Sequence, residues 1–132
     1  MAVRNIDREF YKLPDFTESI ELNFTGAISI TINALIYKIG QIIGIEIPSF
    51  NATSTTNTNL TATLPSEYIS DTNSTTIISN NFWVKNGTSY SFGLITYEVG
   101  QGKINIYSDG NSNGFGVGNN FGLPNPIYFN LA

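Results

Sequence analysis

The sequence predicts an all-β domain, a jelly-roll β-sandwich of about eight strands behind a short charged N-terminal arm. Three observations carry this. Ile outnumbers Leu 18 to 8, and Thr, Tyr and Phe are plentiful, a composition suited to pleated surfaces. Short apolar segments alternate with polar residues at a period of two. Gly-, Pro- and Asn-containing turn signals separate those segments. At 132 residues the chain is one domain, long enough to bury a core without disulfides.

The arm is assigned to residues 1–25 and the β-sandwich body to 26–132, on charge. Eight charged residues (Arg4, Asp7, Arg8, Glu9, Lys12, Asp15, Glu18, Glu21) fall in the first 21 positions, and the other 111 positions hold only eight more. Such a shift marks a connector joined to a separate body. Pro14 limits any helix there to a short turn. Phe10, Tyr11, Leu13 and Phe16 cluster around it and make a candidate docking segment; the plainer reading is a frayed terminus.

In the body, Ile28, Ile30 and Ile32 alternate with Ser29, Thr31 and Asn33, giving one buried and one wet face. Further on, the odd positions Leu35, Tyr37, Ile39, Ile43, Ile45 and Ile47 form an apolar row. Gly40 breaks this run into two strands. Ile36 and Ile42 put apolar groups on its other face as well, which points to a subunit contact or to scattered surface residues. "NATSTTNTN" begins as a loop, and Leu60, Ala62 and Leu64 then alternate as a strand. Strands follow at 75–79, 82–85 and 91–98. "YEVGQGKINIY" is a hairpin closed by Gly100-Gln101-Gly102, and "NPIYFNLA" is the last strand.

The composition removes whole classes of chemistry. With no Cys and no His there is no thiol nucleophile, no Cys/His zinc site and no imidazole acid–base catalysis. A net charge of −4 without a basic cluster argues against nucleic acid. No apolar run reaches the roughly 20 residues that span a bilayer, and no secretion signal is visible. Sequons occur at Asn23, Asn51, Asn59, Asn73 and Asn86, as expected in a chain so rich in Asn, Ser and Thr.

"SDGNSNGFGVGNN" (108–120) opens like a calcium loop, with Asp109, Asn111, Asn113 and Gly114 in D-x-N-x-N-G order. A calcium loop of that type needs flanking helices and a bidentate Glu at its twelfth position. Here that position is Asn120 and a strand precedes the loop, so the stretch reads as a turn anchored by Phe115 and Phe121. No metal and no cofactor are expected. The ten acids include no obvious pair, although Glu67 and Asp71 flank a turn and could meet in space; so charge-poor a body offers little material for a glycosidase. Trp83, with Tyr90 and Tyr97, is a candidate ligand or interface surface. A lone Trp in a strand is otherwise a core or contact residue.

The order "YKIGQIIGIEIPSF", a Thr/Ser-rich loop, "LPSEYI", "VKNGTSYSFGLITYEVGQGKINIY" and "NGFGVGNNFGLPNPIYF", over about residues 35–129, resembles a known group. It is similar to the trimeric jelly-roll heads of viral and phage fibre or tail proteins, which share their shape with the complement and tumour-necrosis-factor fold. The resemblance implies a non-enzymatic virion protein that forms a homotrimer, contacts other virion proteins, and decorates a capsid or binds a host receptor or glycan. The chain departs from a fibre in having no long shaft before the head, which favours a small capsid-associated protein. The alternative is a carbohydrate-binding β-sandwich with Trp83 as its platform.

Overall fold

Residues 15–40, 42–69 and 72–131 are described in a computed structural model. They form ten antiparallel strands in one strongly curled sheet. The strands are β1 (Phe16–Gly26), β2 (Ile30–Ile39), β3 (Ile42–Ile47), β4 (Phe50–Ser54) and β5 (Leu60–Thr63), then β6 (Ile77–Asn86), β7 (Ser89–Glu98), β8 (Lys103–Tyr107), β9 (Gly118–Leu123) and β10 (Ile127–Asn130). A 3-10 turn at Ser66–Tyr68 is the one helical element among the described residues. Along the sheet the order is β10-β3-β2-β1-β5-β8-β7-β6-β9-β4.

Strand parity decides which side chains enter the core. In β1, Ile20, Leu22 and Phe24 point in while Ser19, Glu21 and Asn23 point out. The segment assigned to the arm by its charge is therefore a strand from residue 16 onward, paired with β2 over nine residues. Its carboxylates lie on exposed positions, so charge and sheet formation do not conflict. Phe16 belongs to this strand and packs half-buried against the core rather than in a separate docking arm. Phe10, Tyr11 and Leu13 lie outside the described residues.

The expected odd-numbered apolar row needs a second correction. β2 runs unbroken from Ile30, so the inward phase set by Ile30 and Ile32 continues through Ala34, Ile36 and Lys38. Leu35, Tyr37 and Ile39 consequently face outward. The phase changes only across the tight turn after Ile39, where Gly40 adopts φ +62° in open space and its N–H donates to the Asp15 carboxylate at 2.9 Å. From there Ile43, Ile45 and Ile47 do point in, as the sequence suggests. Asn51 to Ser54, read as loop, form β4. Residues 77–86 make one long strand where two shorter ones were expected.

Four hairpin-like pairings nest inside one another. β6 pairs with β7, β5 with β8, β4 with β9, and β3 with β10. The chain between Ile42 and Asn130 is thus one long antiparallel ribbon, folded back at the 86–89 turn and then wrapped. β1 and β2 add to the β3 side of this ribbon, and β1 also touches β5 through Thr25 and Gly26. The wrap encloses a continuous core of Ile, Leu and Phe side chains, with Phe24 stacked on Phe50 and Phe115 edge-on to Phe121. Each fully buried aliphatic or Phe side chain stabilises the fold by about 1.5–3 kcal/mol relative to exposure.

Candidate functional site

The β6–β7 hairpin builds the surface of interest. Its Asn-Gly turn leaves Asn86 opposite Ser89, and counting outward fixes every pair: Lys85 faces Tyr90, and Trp83 faces Phe92. Inward positions of β6 (Ile78, Phe82, Val84) join the core, which sends Trp83 and Lys85 outward. Trp83 is 55% exposed and Tyr90 63% exposed, and the Trp83 and Phe92 ring centroids lie 5.4 Å apart. Leaving large rings in water forfeits burial energy.

Two depressions meet at Tyr90. One, of about 450 Å³, is lined by Trp83, Tyr90, Pro124 and Asn125. The other, of about 320 Å³, is lined by Lys85, Gly87, Thr88, Ser89, Tyr90 and Asn120. The side chains of Lys85, Thr88, Ser89 and Asn125 make no hydrogen bond or ion pair among the described residues. Aromatic faces and unengaged polar groups thus share one patch.

Tyr97, grouped with Trp83 and Tyr90 on sequence, does not belong there. It is 2% exposed and lies in the core. Tyr90 and Tyr97 are seven residues apart in one strand, an odd separation, so they must point to opposite faces. Phe92, Pro124 and Asn125 were missed. The Asn-Gly turn was the signal that could have placed Phe92 beside Trp83; nothing local links Pro124 and Asn125 to it.

A second apolar surface covers the outer side of β2, β3 and β10. Ile39 and Ile42 are cross-strand partners, 62% and 54% exposed, and Leu35 and Tyr128 are also exposed. Tyr37 lies across Gly44, where a side-chain carbon would collide with its ring. The Tyr128 hydroxyl donates to the Glu46 carboxylate, and this bond and the charge of Glu46 raise the phenol pKa.

The 108–120 stretch is a turn tied to its surroundings. Both Asp109 carboxylate oxygens are engaged, Oδ1 by the N–H groups of Asn111 and Asn113 and Oδ2 by the Asn113 amide at 2.8 Å. These bonds, led by the Asn113 side chain, lower the Asp109 pKa. The loop contribution they make is therefore present above the usual carboxylate range and lost as pH falls below it. Ser108, Phe115 and Gly116 fix the rest of the loop through Gly114, Thr58 and Asn86 respectively. Adding calcium is expected to leave the melting temperature unchanged, whereas Asp109→Ala lowers it; differential scanning fluorimetry checks both.

Among the described residues no cluster of three or more His, Cys, Asp or Glu side chains could hold a metal. Glu67 sits exposed in the 3-10 turn; Asp71, its suggested partner, lies outside the described residues. No helix among the described residues is long and apolar enough to cross a membrane. Compared with known families and proteins, the chain matches no family model and no curated protein.

Proposed function

We propose that this protein is a non-enzymatic, self-associating β-structural module, a virion component of the jelly-roll head type that assembles as a homotrimer. The observation that carries the reading is the outer face of β2, β3 and β10. Ile39 and Ile42 pair across the sheet in full view of solvent, with Leu35, Tyr37 and Tyr128 around them. A chain with six basic and ten acidic residues has little charge with which to keep such a face solvated. Three copies arranged around a three-fold axis with this face turned inward would bury it.

The nested pairing of β3 with β10, β4 with β9, β5 with β8 and β6 with β7 supports the jelly-roll part of the reading, because that fold is an antiparallel ribbon wrapped in this manner. Two added strands, β1 and β2, extend it beyond the expected eight. In a particle the module would contact other virion proteins and present its remaining face outward, to a host receptor or glycan.

Light scattering at micromolar concentration is expected to give three copies. The double variant Ile39→Lys/Ile42→Lys, which alters exposed side chains only, is expected to give a folded monomer, with association weakened at least about a hundredfold. A monomeric parent protein would overturn the reading.

A further inference from the structure

We infer that the two depressions meeting at Tyr90 form one binding site for an acidic saccharide, its sugar ring stacked on Trp83 and Tyr90 and its anionic group held by Lys85. This inference is independent of self-association, which uses the opposite part of the sheet order.

The exposed aromatic pair sets the chemistry of the ligand. A pyranose ring carries C–H groups on its faces and hydroxyls around its rim. It therefore needs an exposed aromatic face and, beside it, donors and acceptors that are not already engaged. Trp83 and Tyr90 supply the first, standing more than half exposed on one wall of a depression of about 450 Å³. Asn125 supplies the second from the same depression, an amide able to donate and accept at once. Pro124 beside it adds a rigid apolar wall.

The neighbouring depression selects for charge. Among the described residues Lys85 is the one charged side chain lining either depression, and its ammonium has no ion-pair partner among them. It lies directly across the strand pair from Tyr90, so a ring over Tyr90 has its rim within reach of this cation. Thr88 and Ser89 offer hydroxyls, and Asn120 an amide, to complete the shell around a carboxylate or sulfate. In a protein of net charge −4, a cation that no described carboxylate pairs, standing beside exposed rings, gives the site a local sign opposite to that of the whole chain. An uncharged sugar would leave that cation unused.

The site rests on rigid parts. Trp83, Lys85 and Tyr90 all stand on the long β6–β7 ladder, and β9 pairs with β6 through Lys85 and Gly122. Asn120 lies within β9, and Pro124 directly follows that strand. Five positions from two segments far apart in sequence are thus held in one frame before any ligand arrives, which reduces the ordering cost of binding.

Trp83 is the single tryptophan in the chain, so intrinsic fluorescence reads this site alone. The experiment titrates the full-length protein with sialyllactose, a sulfated lactose and plain lactose, following Trp83 emission. Saturable change with either acidic sugar, and at least about tenfold weaker change with lactose, is the expected result. Lys85→Gln is expected to reduce acidic-sugar affinity about tenfold while Lys85→Arg restores most of it; Asn125→Ala, and Trp83→Phe followed by calorimetry because it lacks the fluorophore, each weaken it independently. The acidic-sugar response should also weaken as salt rises, since the Lys85 contact lies at the surface. Equal responses to neutral and acidic sugars, or an unchanged affinity in Lys85→Gln, would overturn the inference. No response from any of the three sugars at millimolar concentration would overturn it as well, whatever light scattering shows about copy number.

Discussion

Gly122→Ala is expected to destabilise the protein by about 4 kcal/mol, a large part of the stability of an ordinary domain. β9 lies between β4 and β6, and Gly122 is paired on both sides, with Asn51 and with Lys85. Its φ of +143° is a conformation that residues with a side chain rarely adopt. A carbon placed there would run into the Phe50 carbonyl oxygen and lie 2.9 Å from the Phe50 ring. Backbone strain costs about 1–3 kcal/mol and forced overpacking about the same again. Neither neighbour can retreat cheaply, because Phe50 is buried and stacked on Phe24. Gly110→Ala is the matched control: nothing lies within 4 Å of its added carbon, and a change within about 0.5 kcal/mol is expected. Urea unfolding of the two variants checks the contrast, and equal midpoints would remove the argument.

Alkali is expected to unfold the protein through Tyr97. Burial pushes its phenol up to about 12 from the model-compound value of 10.0. The unfolded chain loses this proton near pH 10, whereas the folded chain holds it. The stabilisation is thus complete below pH 10 and is lost as pH rises toward 12. Two units on a buried group amount to about 2–3 kcal/mol. Tyr68 is also raised to about 12, first by burial and then by donating to Glu18, but it is partly exposed and solvent screening reduces its share. Tyr97→Phe should therefore be close to neutral at pH 7 and should flatten most of the fall in melting temperature between pH 10 and 12. An unchanged slope in that variant would show that other groups govern alkaline unfolding.

Much of the fold was readable one strand at a time. Ile30 and Ile32 announced a half-buried strand, although Ile28, read with them, is buried just before it begins; Gly40 marked its end, and Gly100-Gln101-Gly102 the hairpin between β7 and β8. Local alternation reports these features because a strand's own parity creates them. The misreadings arose where two local signals competed. In 35–39 the odd residues Leu35, Tyr37 and Ile39 are more apolar than the even pair Ile36 and Lys38, and only the phase inherited from Ile30 turns them outward. In β1 the charge of Glu18 and Glu21 drew attention away from Ile20, Leu22 and Phe24, whose alternation was present throughout. The candidate site was half legible: Trp83 and Tyr90 stand out by type, and strand parity would have excluded Tyr97. Pro124, Asn125 and Asn120 reach that surface only because β9 pairs with β6, and no short stretch of sequence encodes a pairing across more than thirty residues.

That nesting also bears on how the chain is made. The β6–β7 hairpin forms from neighbouring residues, but each outer layer of the ribbon waits for a later partner, and β3 waits for β10. A nascent chain lacking its last strands would display β3 and β4 with unpaired edges while translation continues, a state prone to pair with other chains. Closure of the ribbon thus waits on synthesis of β10 and on the slow search that long-range β pairing entails. Copies growing side by side on one messenger would meet with those edges open until β10 takes its place beside β3.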